Sequence, residues 1–109
     1  MKIDGACHCG AITIEGDADP DKVGICHCTD CQTGTGSAFR VSIPVPGSTF
    51  KMKGQPAIYI KKTADSGIPR MQAFCGECGS PIYTAAAVMP EIAFIKAGTL
   101  DDTSWLDPV

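Results

Sequence analysis

Three short modules carry the residues most suited to chemistry: Cys7-His8-Cys9, Cys26-His27-Cys28-Thr29-Asp30-Cys31 and Cys75-Gly76-Glu77-Cys78-Gly79. Thiolate sulfur is a preferred zinc ligand, and Zn–S bonds of about 2.3 Å put tetrahedral sulfurs roughly 3.8 Å apart. In extended chain, residues two apart face the same way. Cys7 and Cys9 therefore aim together, as do Cys26 and Cys28, while His8 and His27 point away and are not expected to ligate the same ion. The Cys75–Cys78 spacing is that of a zinc knuckle, in which a tight turn returns the second sulfur beside the first and Gly79 is free to take a positive φ. Cys26, Cys28 and Cys31 combine both spacings and supply three ligands from one segment. The economical partition puts Cys7, Cys9, Cys75 and Cys78 around one ion and the triad around another. Spacing alone leaves other groupings open.

Other uses of these thiols are less consistent with the rest of the sequence. Seven cysteines cannot all pair into disulfides. Met1 to Gly10 is polar, with Lys2 and Asp4 and no apolar run, so no secretory signal is expected, and no stretch approaches the ~18 apolar residues of a membrane span. The expected compartment is the reducing cytoplasm, where clustered thiols serve as metal ligands or redox groups rather than bridges. A single structural zinc with the remaining cysteines idle is the plainer alternative. Asp30 is first a turn residue and second a candidate general acid–base. The formal charge is −3, and seven thiolates around two dications would make it about −6. With Lys61-Lys62 the only adjacent basic pair, neither nucleic acid nor a membrane is an expected partner.

These modules must be held by something, and the rest of the chain predicts short strands. The length suits one domain over residues 1–109. Twelve glycines and eight prolines break the chain every few residues, which favours strands over helices. Ala11–Glu15 alternates, with Ile12 and Ile14 on one face. Ala38–Val45 puts Phe39, Val41, Ile43 and Val45 on one side. Thr49–Lys53, Ala57–Lys61, Met71–Phe74, Ile82–Ala85 and Ile92–Ala97 also read as strands. Turns are expected at Gly16-Asp17, Pro46-Gly47, Lys53 to Pro56, Asp65-Ser66-Gly67 and Ala97-Gly98. The fold class is all-β (mainly β), with about seven or eight strands.

Taken in order, the motifs resemble a known family. Gly5-x-Cys7-His8-Cys9-Gly10, Cys26-His27-Cys28-x-x-Cys31 followed by Gly36-Ser37-Ala38-Phe39, and Phe74-Cys75-Gly76-x-Cys78-Gly79 are similar to the glutathione-dependent formaldehyde-activating enzymes, a family that includes centromere protein V. The resemblance runs from Gly5 to about Trp105. It implies a β-tent fold of small antiparallel sheets pinned by two zinc ions per chain: a structural zinc on Cys7, Cys9, Cys75 and Cys78, and a functional zinc on Cys26, Cys28 and Cys31. It also implies a carbon–sulfur lyase joining glutathione and formaldehyde into S-hydroxymethylglutathione. The chain has Gln32 and Thr33 where many members have basic residues, and reaches Val109 soon after Trp105 and Pro108. The short C-terminus would either leave the pocket more open or require a partner subunit, as in a homodimer.

The chemistry expected of the two sites differs. A four-thiolate site has no free position and contributes folding energy. A three-thiolate site can take an exchangeable fourth ligand. Three thiolates donate heavily, which makes the metal a poor generator of hydroxide but suits it to an incoming thiol. A small thiol such as glutathione would then attack a small aldehyde. Arg40 and the segment Thr33–Ser37, including Gly34, Gly36 and Ser37, are candidates to hold the thiol substrate's carboxylates, with plain turn chemistry the alternative for both glycines. The competing class is a non-catalytic zinc-pinned β module for thiol binding or protein interaction.

Overall fold

A computed structural model of the chain describes residues 1–61, 69–86 and 91–106. The turn expected at Asp65-Ser66-Gly67 and the segment at Pro108 lie outside these residues. Nine strands and one short α-helix follow one another: β1 (Lys2–Ala6), β2 (Thr13–Asp17), β3 (Gly24–Cys26), α1 (Thr29–Thr35), β4 (Arg40–Pro46), β5 (Lys51–Lys53), β6 (Ala57–Lys61), β7 (Arg70–Phe74), β8 (Pro81–Ala86) and β9 (Ile92–Lys96). They form a three-stranded sheet, β1-β2-β5, and a six-stranded sheet, β3-β4-β9-β8-β7-β6. Every pairing is antiparallel. The mainly β class expected from the glycine and proline punctuation is what the chain adopts.

The core lies between the sheets and follows the strand period of two. On the large sheet Ile43 pairs with Ile95 and Val45 with Ala93, and all four are buried. Val41 packs on the same cluster. From the small sheet Ile3 and Ile14 face inward beside the buried Ile12, and Phe50 meets Tyr83 with ring centroids 4.9 Å apart. The sheets close tightly where glycine takes an inward position. A Cβ on Gly16 would lie 2.6 Å from Val45 Cγ1, and one on Gly5 would lie 2.5 Å from the Thr99 carbonyl oxygen.

Three local expectations are corrected. Phe39 does not join the inward face: it precedes β4, is 42 % exposed, and its ring lies 5.8 Å from that of His27. Lys2–Ala6 and Gly24–Cys26 are strands that were not expected. Thr29–Thr35 is a helix rather than a turn. That segment is rich in Thr, Gly and Asp, all poor helix formers, and two turns are too short to display a 3.6-residue period. Its ends are secured instead. Cys28 Sγ accepts from Cys31 N–H at 3.3 Å, Thr35 Oγ1 donates to the Cys31 carbonyl at 2.8 Å, and Gly36, at φ 65°, closes the C-terminus through its N–H to the Gln32 carbonyl.

Candidate metal centres

The chain after β1 and the hairpin between β7 and β8 are closed in the same way. Cys7 N–H donates to the Ile12 carbonyl and Gly10 N–H to the Cys7 carbonyl, at 3.0 and 3.1 Å. Cys75 N–H donates to the Ser80 carbonyl and Gly79 N–H to the Cys75 carbonyl, at 2.9 and 2.8 Å. Gly10 and Gly79 have φ near 80°, the left-handed region that glycine enters without strain. The loops are joined by His8 N–H donating to Ser80 Oγ at 3.1 Å. This brings the Sγ atoms of Cys7, Cys9, Cys75 and Cys78 within 4.8 Å of one another. The Cys7–Cys9 and Cys9–Cys75 sulfurs are 3.6 and 3.7 Å apart, close to the roughly 3.8 Å edge of a tetrahedral zinc–thiolate site. Ser80 also holds the Cys78 thiol down to about 5: its hydroxyl and N–H both bond the sulfur, aided by Cys9 N–H. A pre-ionised thiolate is what a metal ligand requires.

The Cys7–Cys9 convergence is not produced by extended chain: β1 stops at Ala6, and His8 and Cys9 lie in a turn that reverses the chain. Cys26 ends β3, and Cys28, itself extended at φ −63° and ψ 159°, caps α1.

Cys26, Cys28 and Cys31 form the second group, with their sulfurs within 4.8 Å of one another. Cys31 is buried and Cys28 exposed, so the group opens on one side. Cys28 and Cys31 Sγ are 2.9 Å apart, so a tetrahedral ion between them needs the pair to part by about 1 Å, a side-chain adjustment. Hydrogen bonds from the Cys31 side chain and backbone pull the Cys28 thiol down to about 7, while burial pushes Cys31 up to about 12. The two thiols are hydrogen-bonded to one another and titrate as a pair. Both donor sets are chemically suited to zinc. No disulfide joins any of the seven cysteines, and neither histidine belongs to a ligand group.

The register of the large sheet explains what lies beside the triad. Cys26 is opposite Arg40, Ser42 opposite Lys96, and Gln72 opposite Thr84. Because neighbouring residues alternate in face, the side of β4 and β9 away from the apolar core carries Arg40, Ser42 and Lys96. A cavity of about 130 Å³ is lined there by Arg40, Gln72, Thr84 and Lys96 from the sheet, and by Asp30, Cys31 and Gly34 from α1. Burial, then repulsion from Arg40, lowers the Lys96 ammonium to about 8, with Cys31 opposing the shift.

The structure therefore puts Asp30, Gly34 and Arg40 at the cavity with Cys31. Gly36 and Ser37 are not among its lining residues: both N–H groups donate to the Gln32 carbonyl, so they close the helix. Lys96, Thr84 and Gln72 were missed by sequence reasoning. The signal lies in the polar positions that alternate with apolar ones: Gln72 on β7, Thr84 on β8 and Lys96 on β9.

The family model for glutathione-dependent formaldehyde-activating enzyme matches residues 2–109. A curated relative from Halomonas elongata, named "Putative glutathione-dependent formaldehyde-activating enzyme", is 25 % identical over 105 residues, spanning 93 % of this chain and 67 % of the relative. A crystal structure of a Rhodobacter sphaeroides protein shares the fold at a TM-score of 0.69, with 20 % identity over 90 % of this chain and 87 % of that one.

Proposed function

The chain belongs to the glutathione-dependent formaldehyde-activating enzyme family, and from that premise we propose that residues 1–109 form one zinc-dependent unit of the β-tent kind. It acts as a carbon–sulfur lyase that adds a small thiol, glutathione, to a small aldehyde, formaldehyde, and reverses that addition. The observation that carries this reading is the Cys26, Cys28 and Cys31 group, whose buried Cys31 lines a cavity and which no fourth donor joins among the described residues. Cys7, Cys9, Cys75 and Cys78 serve as the structural site, and the protein works in the cytoplasm on soluble substrates.

Zinc held by the triad supplies an exchangeable position that favours an incoming thiol as its thiolate. The chain's own residues do the rest. Burial of Cys31 fixes the triad against the sheet, and exposure of Cys28 leaves the approach open. Asp30, on the helix side of the cavity, takes the thiol proton and returns it to the oxygen of the adduct. Gly34 lines the cavity, and a Cβ there would meet Gln72 Oε1 at 3.9 Å, an ordinary contact, so only a longer side chain would fill the space. The cavity is small beside the ~300–1,000 Å³ of ordinary ligand clefts. It therefore takes the reacting end of the adduct, while the rest of the tripeptide lies over the surface. Holding sulfur and carbonyl carbon together is the main catalytic contribution.

The test is adduct formation from glutathione and formaldehyde, followed by exchange NMR against the protein-free mixture, since thiols also add to aldehydes unaided. Acceleration by the zinc-loaded protein that disappears in Cys28→Ser supports the lyase. A rate equal to the uncatalysed one, or unchanged by Cys28→Ser, removes it and leaves a zinc-pinned module.

A further inference from the structure

We propose that the cavity beside the triad is shaped for a carbonyl compound bearing its own carboxylate, a two- or three-carbon 2-oxo acid, whose acid group is held by Arg40 and Lys96. The inference rests on the reading of the triad as a thiol-addition site and names the carbonyl partner that site would take.

Three observations converge. Charge is the first. Arg40 and Lys96 share the sheet face that lines the cavity. Asp30 stands across the cavity on α1. Two cations on one wall repel one another, and an anion between them removes that repulsion. Hydrogen bonding is the second. Arg40 Nε, Ser42 Oγ and Thr84 Oγ1 are buried without a partner, and Thr84 is only 3 % exposed. Buried polar groups of this kind are normally satisfied, and two of them, on Arg40 and Thr84, belong to residues that line the cavity. Size is the third. Formaldehyde has neither charge nor bulk to engage that wall, and a tripeptide far exceeds 130 Å³. A 2-oxo acid of the glyoxylate type supplies the missing acceptors and still presents its carbonyl carbon to the triad.

The reaction balances without any redox partner. The thiolate electron pair forms the carbon–sulfur bond, and the carbonyl π pair moves onto oxygen. That oxygen takes the proton released by the thiol, giving a 2-hydroxy-2-thio acid.

The experiment compares glyoxylate with glycolaldehyde, which has the same carbon count and no charge, on the zinc-loaded protein. Binding is read first, without thiol, from NMR shifts of the β4 and β9 amides; adduct formation is then read with 2-mercaptoethanol, which carries no carboxylate. The expected result is glyoxylate binding at least tenfold tighter than glycolaldehyde. That ratio should collapse in Lys96→Gln and Arg40→Gln, persist in Lys96→Arg, and shrink in the unsubstituted protein when propionate competes. The propionate arm decides the matter should a variant fail to fold. Equal binding of the two aldehydes, or a ratio untouched by both variants, overturns the proposal. Tighter glyoxylate binding with no adduct formation would sustain the anion site while removing the thiol-addition reading. Accelerated formaldehyde addition with no preference for the acid would do the reverse.

Discussion

Ser80 is a small residue with an outsized role at the four-cysteine group. Its hydroxyl accepts from His8 N–H and lies 3.2 Å from Cys78 Sγ, so it both ties the two loops and favours the Cys78 thiolate. Outer partners of metal ligands typically contribute 10–100-fold in affinity. Ser80→Ala should weaken zinc at this site by about tenfold, read by competition with a chromophoric chelator, while the triad's affinity stays the same. At the cavity mouth, Gly34→Leu should raise helix propensity by about 0.5–1 kcal/mol yet fill the opening toward Gln72, raising KM for the adduct severalfold with thermal stability preserved or improved. At this scale the cysteine sets were legible because two- and three-residue spacings constrain where sulfur can go. The path by which they converge was not, because chain reversal and extension both bring residues two apart together. Lys96 was hidden because a lone lysine at a strand end looks like any solvated one until the register puts it opposite Ser42.

The elements matter through where they meet. β1 leads into Cys7, and the β7–β8 hairpin carries Cys75 and Cys78, so the four-cysteine group stitches the small sheet to the large one. Gly5 lies at that seam, bridged to Leu100, with the Thr99 carbonyl where a Cβ would go. Backbone cannot swing aside as a side chain does. Gly5→Ala should therefore cost about 1–3 kcal/mol through overpacking and lower Tm by several degrees, measured by thermal unfolding with zinc in excess. The alternating apolar runs made most strands readable, β4 and β9 above all, whose inward residues pair directly across the sheet. β1 was unreadable because one of its two inward positions is a glycine, which carries no hydrophobic signal. α1 was unreadable because its stability comes from capping bonds and from Cys31 burial rather than from its own residues.

The whole molecule is an acidic β scaffold with a four-cysteine group suited to metal at its seam and a second group of thiols whose Cys31 lines a cavity beside Arg40 and Lys96. No helix among the described residues is long and apolar enough to cross a membrane. Metal and proton compete for the same sulfurs, and the sign of that competition is fixed. Cys78 is held well below the ordinary thiol value of about 9 in the fold, so the stability it contributes is full above about 9 and is lost as pH falls through about 5. Acid also displaces metal from every thiolate. Thermal unfolding should show a falling Tm between pH 8 and pH 5, and a chelator should lower it further at each pH. Chelation should release the triad's ion first, since three ligands and an open side hold metal less firmly than four.

The central claim is that the triad leaves room for an outside thiol while the four-cysteine group does not. Substituting cadmium-113 for zinc and recording its NMR spectrum during a glutathione titration tests this directly. Two resonances are expected. One should stay fixed throughout, and the other should move toward the first as a fourth sulfur joins it, with the moving line absent in Cys28→Ser. A single resonance, or two that both ignore the thiol, would contradict the account.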